Sequence, residues 1–292
     1  MVYFIIMDKK IYLTADVFGM CGGVHSALKL LESLLPASEQ GVFVFHELVH
    51  NHAVTQSFTQ RGVTFADSIE DIPYGATLVI GAHGVAPDTE KILRERAGKC
   101  FDATCPLVKK LHRIAGSLTN ERQLIIFGKS GHPEVVGVAG YSGTSQLYII
   151  SSPEDVVSLP PLSDPVFISQ TTVDHSDVEK TLEILNARYP DLQICSGICD
   201  ASQKRQAAVL KLVEQVDCVI VIGSDHSSNA KRLREIAERA GCAAFLIDNA
   251  AELTSDILNF SRIGITSGAS TPEFLFNEVV AVLEQHGFVN GK

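Results

Sequence analysis

Six short apolar runs, each ending in glycine or polar side chains, leave this chain few ways to fold. Residues 42–45 run into His46 and His50, residues 78–80 into Gly81 and His83, and residues 124–127 into Gly128 and His132. Residues 166–168 lead to Gln170 and Thr171, residues 219–222 to Gly223 and Ser227, and residues 263–265 to Thr266 and Ser270. Such runs are too short for buried helices and lack the alternation of a sheet with one wet face. They predict strands covered on both faces, as in parallel sheets with helices between the strands. Ligands of such sheets bind beyond the carboxyl ends of the strands, so the polar tails are the candidate site.

Three cysteines carry a second repeat. Cys21, Cys105 and Cys199 each stand just ahead of an amphipathic stretch, and they are separated by close to a third of the chain. The apolar faces are Val24, Ala27, Leu28, Leu31 and Leu35 in the first, and Leu107, Val108, Leu111, Ile114 and Ala115 in the second. The third has Ala207, Leu210, Val213 and Val216. Pro106 suits a first helical position, which places Cys105 at a helix N-terminus. The macrodipole there favours the thiolate, making Cys105 a nucleophile or a metal ligand. The two repeats together predict three α/β units of similar plan, each giving one cysteine and two polar strand ends to a common centre. Division at the cysteines predicts domains 22–105, 106–198 and 199–292, the last completed by the segment 9–21.

Bulk properties narrow the function. A chain of 292 residues suits two or three α/β units. A net charge of −10 without a long basic run argues against a general nucleic-acid binder. The apolar stretch 1–7 is too short for a signal peptide or a membrane span, and Met7 is an alternative start. Seven scattered cysteines point to free thiols, catalysis or metal binding rather than a disulfide framework. A cytoplasmic protein is expected.

Three thiolates without a short Cys-x-x-Cys spacing are an unusual zinc set. A cubane iron–sulfur cluster held by three cysteines leaves one iron unclaimed and open to a substrate oxygen. The polar tails suit an anion: His50, His83, His132, Ser227, Ser228, Asn229 and Ser270 are donors able to surround phosphate oxygens. Ser270 also precedes a helical pattern, a position that favours phosphate. Glu134 is the one carboxylate tied to this constellation and is the candidate proton donor. His25, His46 and His112 read as structural, as do Cys100, Cys195, Cys218 and Cys242. The Lys/Arg residues of 204–205 and 231–234 read as solvated helix faces.

Several strings then appear in family order: Phe-Asp-Ala-Thr-Cys-Pro-Leu-Val at 101–108, Gly-His-Pro-Glu at 131–134, and His-Glu-Leu-Val-His-Asn at 46–51. With Ala82-His83-Gly84, Gln170-Thr171-Thr172, Ser227-Ser228-Asn229 and Gly268-Ala269-Ser270, they closely resemble the hydroxymethylbutenyl diphosphate reductase (LytB) family over nearly the whole chain. The resemblance implies a trefoil of three α/β domains around a central iron–sulfur cluster. It implies a [4Fe-4S] cluster on Cys21, Cys105 and Cys199, with the fourth iron open to the substrate hydroxyl. The diphosphate would lie on His50, His83, His132, Ser227, Ser228, Asn229 and Ser270. Glu134 would deliver protons, aided by Thr171, which would also position the hydroxyl. The implied reaction reduces an allylic diphosphate alcohol to isopentenyl and dimethylallyl diphosphate, the end of the non-mevalonate (MEP) isoprenoid pathway. A ferredoxin or flavodoxin would supply electrons to a monomer or weak dimer, with no nucleic acid or membrane as partner.

Two flanks depart from the family pattern. Val17-Phe18 stands where the family usually has Pro-Arg, so the arginine is absent. Asp200 follows Cys199 where the family has tyrosine, placing a negative charge beside a ligand position. These departures keep two alternatives in view: a paralogue reducing a related allylic diphosphate, and a non-catalytic iron–sulfur sensor.

Overall fold

A computed structural model describes residues 9–37, 41–195 and 197–292; the apolar stretch 1–7 lies outside them. The chain divides into two compact units, residues 21–200 and the segment up to Met20 together with residues 201–292.

The unit of residues 201–292 draws in the N-terminal strand β1 (Ile11–Thr14). The 21–200 unit begins with α1 (Gly22–Leu34), followed by β2 (Val42–Phe45), α2 (His52–Gln60), β3 (Val63–Ala66), β4 (Thr77–Ile80), α3 (Pro87–Arg96) and β5 (Lys99–Asp102). The same plan repeats as α4 (Pro106–Gly116), β6 (Gln123–Phe127), α5 (Pro133–Tyr141), β7 (Leu147–Ile150), β8 (Pro165–Ser169), α6 (His175–Arg188) and β9 (Gln193–Cys195). It recurs as α7 (Asp200–Val213), β10 (Cys218–Ile222), α8 (Ser228–Arg239), β11 (Ala243–Ile247), the short α9 (Ser255–Leu258), β12 (Arg262–Ser267) and α10 (Glu273–Gln285). Strand β13 (Val289–Asn290) closes the chain.

Three parallel sheets result, ordered β3-β2-β4-β5, β7-β6-β8-β9 and β11-β10-β12-β1-β13. All the strand pairs are parallel. The third sheet takes β1 at the place that β5 and β9 occupy in the others. The expected parallel α/β class is what the chain adopts.

The apolar runs are the central strands, and alternate residues feed opposite cores. On the second sheet, Leu124, Ile126, Val166 and Ile168 pack with Leu111, Val135 and Val138 of α4 and α5. Their neighbours Ile125, Phe127 and Phe167 pack with Val178 and Leu185 of α6 on the other face. Both faces are therefore dry. In the 201–292 unit, Val219 and Val221 meet Val209 and Leu212 of α7 and Leu233 and Ala237 of α8. Here one expectation fails. The buried face of α7 is Arg205, Ala208, Val209 and Leu212, whereas Leu210 is 48% exposed. Ala208, Val209 and Leu212 supply the core contacts in place of Leu210, while Val213 and Val216 of the predicted stripe do join that core.

Among the described residues no helix is long and apolar enough to cross a membrane.

Candidate active site

Each cysteine follows β1, β5 or β9, the strands that take the same place in their sheets, and the chain leading to it is hooked back by hydrogen bonds from its backbone N–H groups. Beyond β5, the Ala103 and Cys105 N–H groups donate to the carbonyls of Ile80 (2.9 Å) and Ala82 (3.0 Å), which lie at and beyond the end of β4. Beyond β9, Gly197 N–H donates to Ser169 Oγ (2.9 Å) and Cys199 N–H to Thr171 O (3.3 Å). Gly197 runs so close to β8 that a Cβ there would stand 1.9 Å from Ser169 O. Beyond β1, Gly19 takes φ +76° and its N–H donates to Ser267 Oγ at 2.8 Å. Cys21 then caps α1, its Sγ accepting from Val24 N–H at 3.5 Å, and Cys105 is the N-cap of α4.

Cys21, Cys105 and Cys199 all belong to the 21–200 unit, are half-buried, and are free thiols. Gly23 shows how two of them converge. A Cβ at Gly23 would lie 3.0 Å from Cys105 Sγ and 3.9 Å from Cys21 Sγ, so both sulfurs rest against one bare α-carbon. The helix N-terminus does not give Cys105 the thiolate its sequence context predicts. Burial pushes the thiol up, the Leu107 and Val108 N–H groups pull it back, and the charges of Cys21 and Cys199 raise it again. Burial outweighs the helix end. A nucleophile would need a neighbour that draws its proton away, but the charges acting on Cys105 are those of two more thiols. This donor set suits a thiophilic group that neutralises all three sulfurs at once.

The histidines gather in the same unit. The His50 and His83 rings stack with centroids 4.1 Å apart, and His132 meets both edge-on at 5.9 and 5.8 Å. His83 is placed by Ala82 N–H donating to Leu48 O (2.9 Å). His50 Nδ1 lies 2.5 Å from Glu47 Oε2. Burial drives His83 well below the ordinary imidazole value, reinforced by His50 and His132. Burial likewise lowers His132 to about 4. His132 Nδ1 accepts from Glu134 N–H at 3.2 Å, so its neutral ring carries hydrogen on Nε2, available to an anion.

Glu134 opens α5 and is 1% exposed. Oε1 accepts from Thr171 N–H (2.6 Å) and Oε2 from the Thr171 hydroxyl (2.8 Å). Burial pushes its carboxyl up to about 7, against the lowering effect of both Thr171 bonds. A carboxyl raised in this direction is the kind that can hold a proton for a general acid. Thr171 serves twice: its N–H and hydroxyl hold Glu134 while its carbonyl holds Cys199.

The 201–292 unit brings together the remaining predicted residues. Ser227 is the buried N-cap of α8, accepting from Ala230 N–H (3.3 Å), and Ser228 is the first residue of that helix. Asn229 Oδ1 accepts from Ala269 N–H at 3.0 Å, fastening α8 to the turn that carries Ser270. Ser270 is buried just ahead of α10. Two contributors escaped the sequence reading, Gly23 and Glu47. Glu47 stands three residues before His50, a spacing that would have suggested the pair; Gly23 gives no signal without coordinates.

Parallel strand ends that deliver three thiols, three clustered histidines and a buried carboxyl are the donor types of a metal or redox enzyme. The family model described as LytB protein matches residues 12–284. The chain belongs to the LytB protein family. A 4-hydroxy-3-methylbut-2-enyl diphosphate reductase of Methylococcus capsulatus is 39% identical over 284 residues, spanning 94% of this chain and 90% of its own. The reductase of that name from Klebsiella pneumoniae is 38% identical, with the same shares. Among solved structures, the E-1-hydroxy-2-methyl-but-2-enyl-4-diphosphate reductase from Plasmodium falciparum superposes with a TM-score of 0.90 at 30% identity, over 97% of this chain and 92% of that one. A second, an (E)-4-hydroxy-3-methyl-but-2-enyl diphosphate reductase, gives 0.67 at 30% identity, over 94% and 99%.

Proposed function

We propose that this chain is an iron–sulfur oxidoreductase that converts (E)-4-hydroxy-3-methylbut-2-enyl diphosphate to isopentenyl and dimethylallyl diphosphate, the last step of the non-mevalonate isoprenoid pathway. The observation that carries the reading is that Thr171 bonds both oxygens of the buried Glu134 and, through its carbonyl, the N–H of Cys199, in the unit where the Cys21 and Cys105 sulfurs meet at Gly23. The reaction consumes two electrons and two protons and releases the hydroxyl as water. Cys21, Cys105 and Cys199 would hold a [4Fe-4S] cluster with one iron left to an outside ligand. The bare α-carbon of Gly23 against two sulfurs and the all-thiol donor set both fit that group. When bound, the cluster supplies electrons and Lewis acidity at the departing oxygen.

The chain's own groups do the rest. Neutral His83 and His132 offer N–H donors to the diphosphate without holding two more cations in a buried cluster, and His50 completes the set beside Glu47. Ser227, Ser228, Asn229 and Ser270 add uncharged donors. Thr171, whose hydroxyl lies 2.8 Å from Glu134 Oε2, would stand between that carboxyl and the substrate hydroxyl; with Glu134 protonated the bond reverses, and the proton would pass through the Thr171 hydroxyl to the oxygen that leaves as water. A ferredoxin or flavodoxin would bring the electrons. A cytoplasmic monomer or weak dimer, with repeats at 22–105, 106–198 and 199–292 plus 9–21, completes the proposal.

The test is anaerobic reconstitution with iron and sulfide, a count of both, and turnover of the named substrate with dithionite-reduced viologen. Isoprenyl diphosphates appear if the reading holds. A loaded cluster without product sinks the substrate assignment, and a chain that takes up no iron and sulfide sinks the cofactor.

A further inference from the structure

His112 reads in the sequence as a structural histidine, but its surroundings give it a particular place. It lies on α4, the helix that Cys105 caps, and is buried. One edge of its ring presses on bare α-carbons from two other elements. A Cβ on Gly84 would stand 2.9 Å from His112 Cε1, and a Cβ on Gly137 would stand 2.8 Å from Nε2. Gly84 follows His83 and takes φ +70°. Gly137 sits on α5, one turn beyond Glu134. The same Cβ on Gly84 would also meet Thr104 Cγ2 at 2.9 Å, and Thr104 immediately precedes Cys105.

The ring is held from another side by Tyr141, near the end of α5, whose ring stacks on it at 4.3 Å and 18°. The Tyr141 hydroxyl donates to Glu90 Oε2 of α3 at 2.6 Å, anchoring the stack. His112 Nε2 has no hydrogen-bond partner. That nitrogen earns no bond, so the contacts use the ring's shape. His112 and Tyr141 also wall a cavity of about 700 Å³, shared with Thr104 and Lys109, so a displaced ring has space to enter without the fold breaking.

We propose that His112 is a positioning residue whose ring sets the spacing between the His83 turn, the Cys105 cap and the helix carrying His132 and Glu134. The proposal rests on the reading of those groups as the active site. Close packing makes such a spacer two-sided: the site suffers when the ring is removed and when it is pushed.

The test uses the reconstituted full chain with Gly137→Ala, His112→Ala and the double variant, reading kcat per bound cluster, KM and melting temperature. Each single variant lowers kcat per cluster about tenfold, since misplacement by a fraction of an ångström suffices for that. The double variant returns to within about threefold of the parent, because the new methyl fills part of the vacated ring volume. His112→Asn replaces His112→Ala if the latter fails to fold. Multiplying losses in the double variant, or a fall in melting temperature with kcat per cluster unchanged throughout, overturns the proposal. A parent chain with no cluster or no product overturns the underlying assignment instead.

Discussion

Glu134 is a carboxyl whose two oxygens are both occupied by one residue, and that residue also holds a cysteine. Glu134→Gln keeps the shape and removes the transferable proton, so kcat should fall by about 10²–10⁴ with KM moved far less. A fall confined to KM would contradict the acid role. Thr171→Val removes the hydroxyl donor to Oε2 and keeps the backbone bonds to Glu134 and Cys199. Turnover should drop while the iron and sulfide content stays at the parent value; a loss of cluster would show that the hydroxyl, and not only the carbonyl, holds Cys199 in place. Gln170, between the two β8 tail groups, is already committed: its Oε1 accepts from Lys129 N–H (3.0 Å) and its Nε2 donates to Thr172 Oγ1 (2.9 Å).

The turns after the strands place these groups. Gly23, in the first turn of α1, and Gly197, beyond β9, lie where a methyl would meet a neighbour. A methyl at Gly23 would press on Cys105 Sγ, so Gly23→Ala should lower the iron bound per chain with little change in far-ultraviolet circular dichroism. A methyl at Gly197 would collide with the Ser169 carbonyl, which is backbone and cannot swing away. Gly197→Ala should cost about 2–3 kcal/mol in urea unfolding, the range of an overpacked site.

The sequence shows the two kinds of strand unequally. β2, β4, β6, β8, β10 and β12 are buried on both faces along their centres, which are apolar and so legible. β5 reads Lys-Cys-Phe-Asp and lies at the side of its sheet, half wet, and its mixed composition resembles a loop. The cysteine caps and histidine tails were legible because the same context recurs three times. Gly23, the buried face of α7 and the packing of His112 are distances between segments far apart in sequence, which no local pattern encodes.

Proton binding by the buried groups shapes the stability of the chain as a whole, and the signs oppose. His83 and His132 are both depressed by burial, so the unfolded chain takes up their protons first; the His132 contribution rises with pH from about 4 toward 6.5, and that of His83 acts in the same direction. Glu134 is raised, so the native chain holds the proton: its contribution is fully present below 4.5 and is lost as pH climbs to about 7. Each group tilts the curve by about 1.4 kcal/mol per pH unit within its window. The Glu134→Gln chain should therefore gain stability more steeply than its parent between pH 4.5 and 6.5 and keep that advantage at pH 7.5. Parallel melting curves for the two chains would refute this.

The strand β1 settles a matter of timing. It lies between β12 and β13, and Lys10 Nζ donates to a carbonyl 248 residues downstream, that of Leu258. Both partners of β1 lie far downstream of it, so its edges stay unpaired until β12 and β13 have been made. The 21–200 unit has all its strands long before that, whereas the tether leading to Cys21 is fastened only when β12 arrives. A chain interrupted before β12 would leave Cys105 and Cys199 held by their own strand-end hydrogen bonds and Cys21 on an unfastened tether.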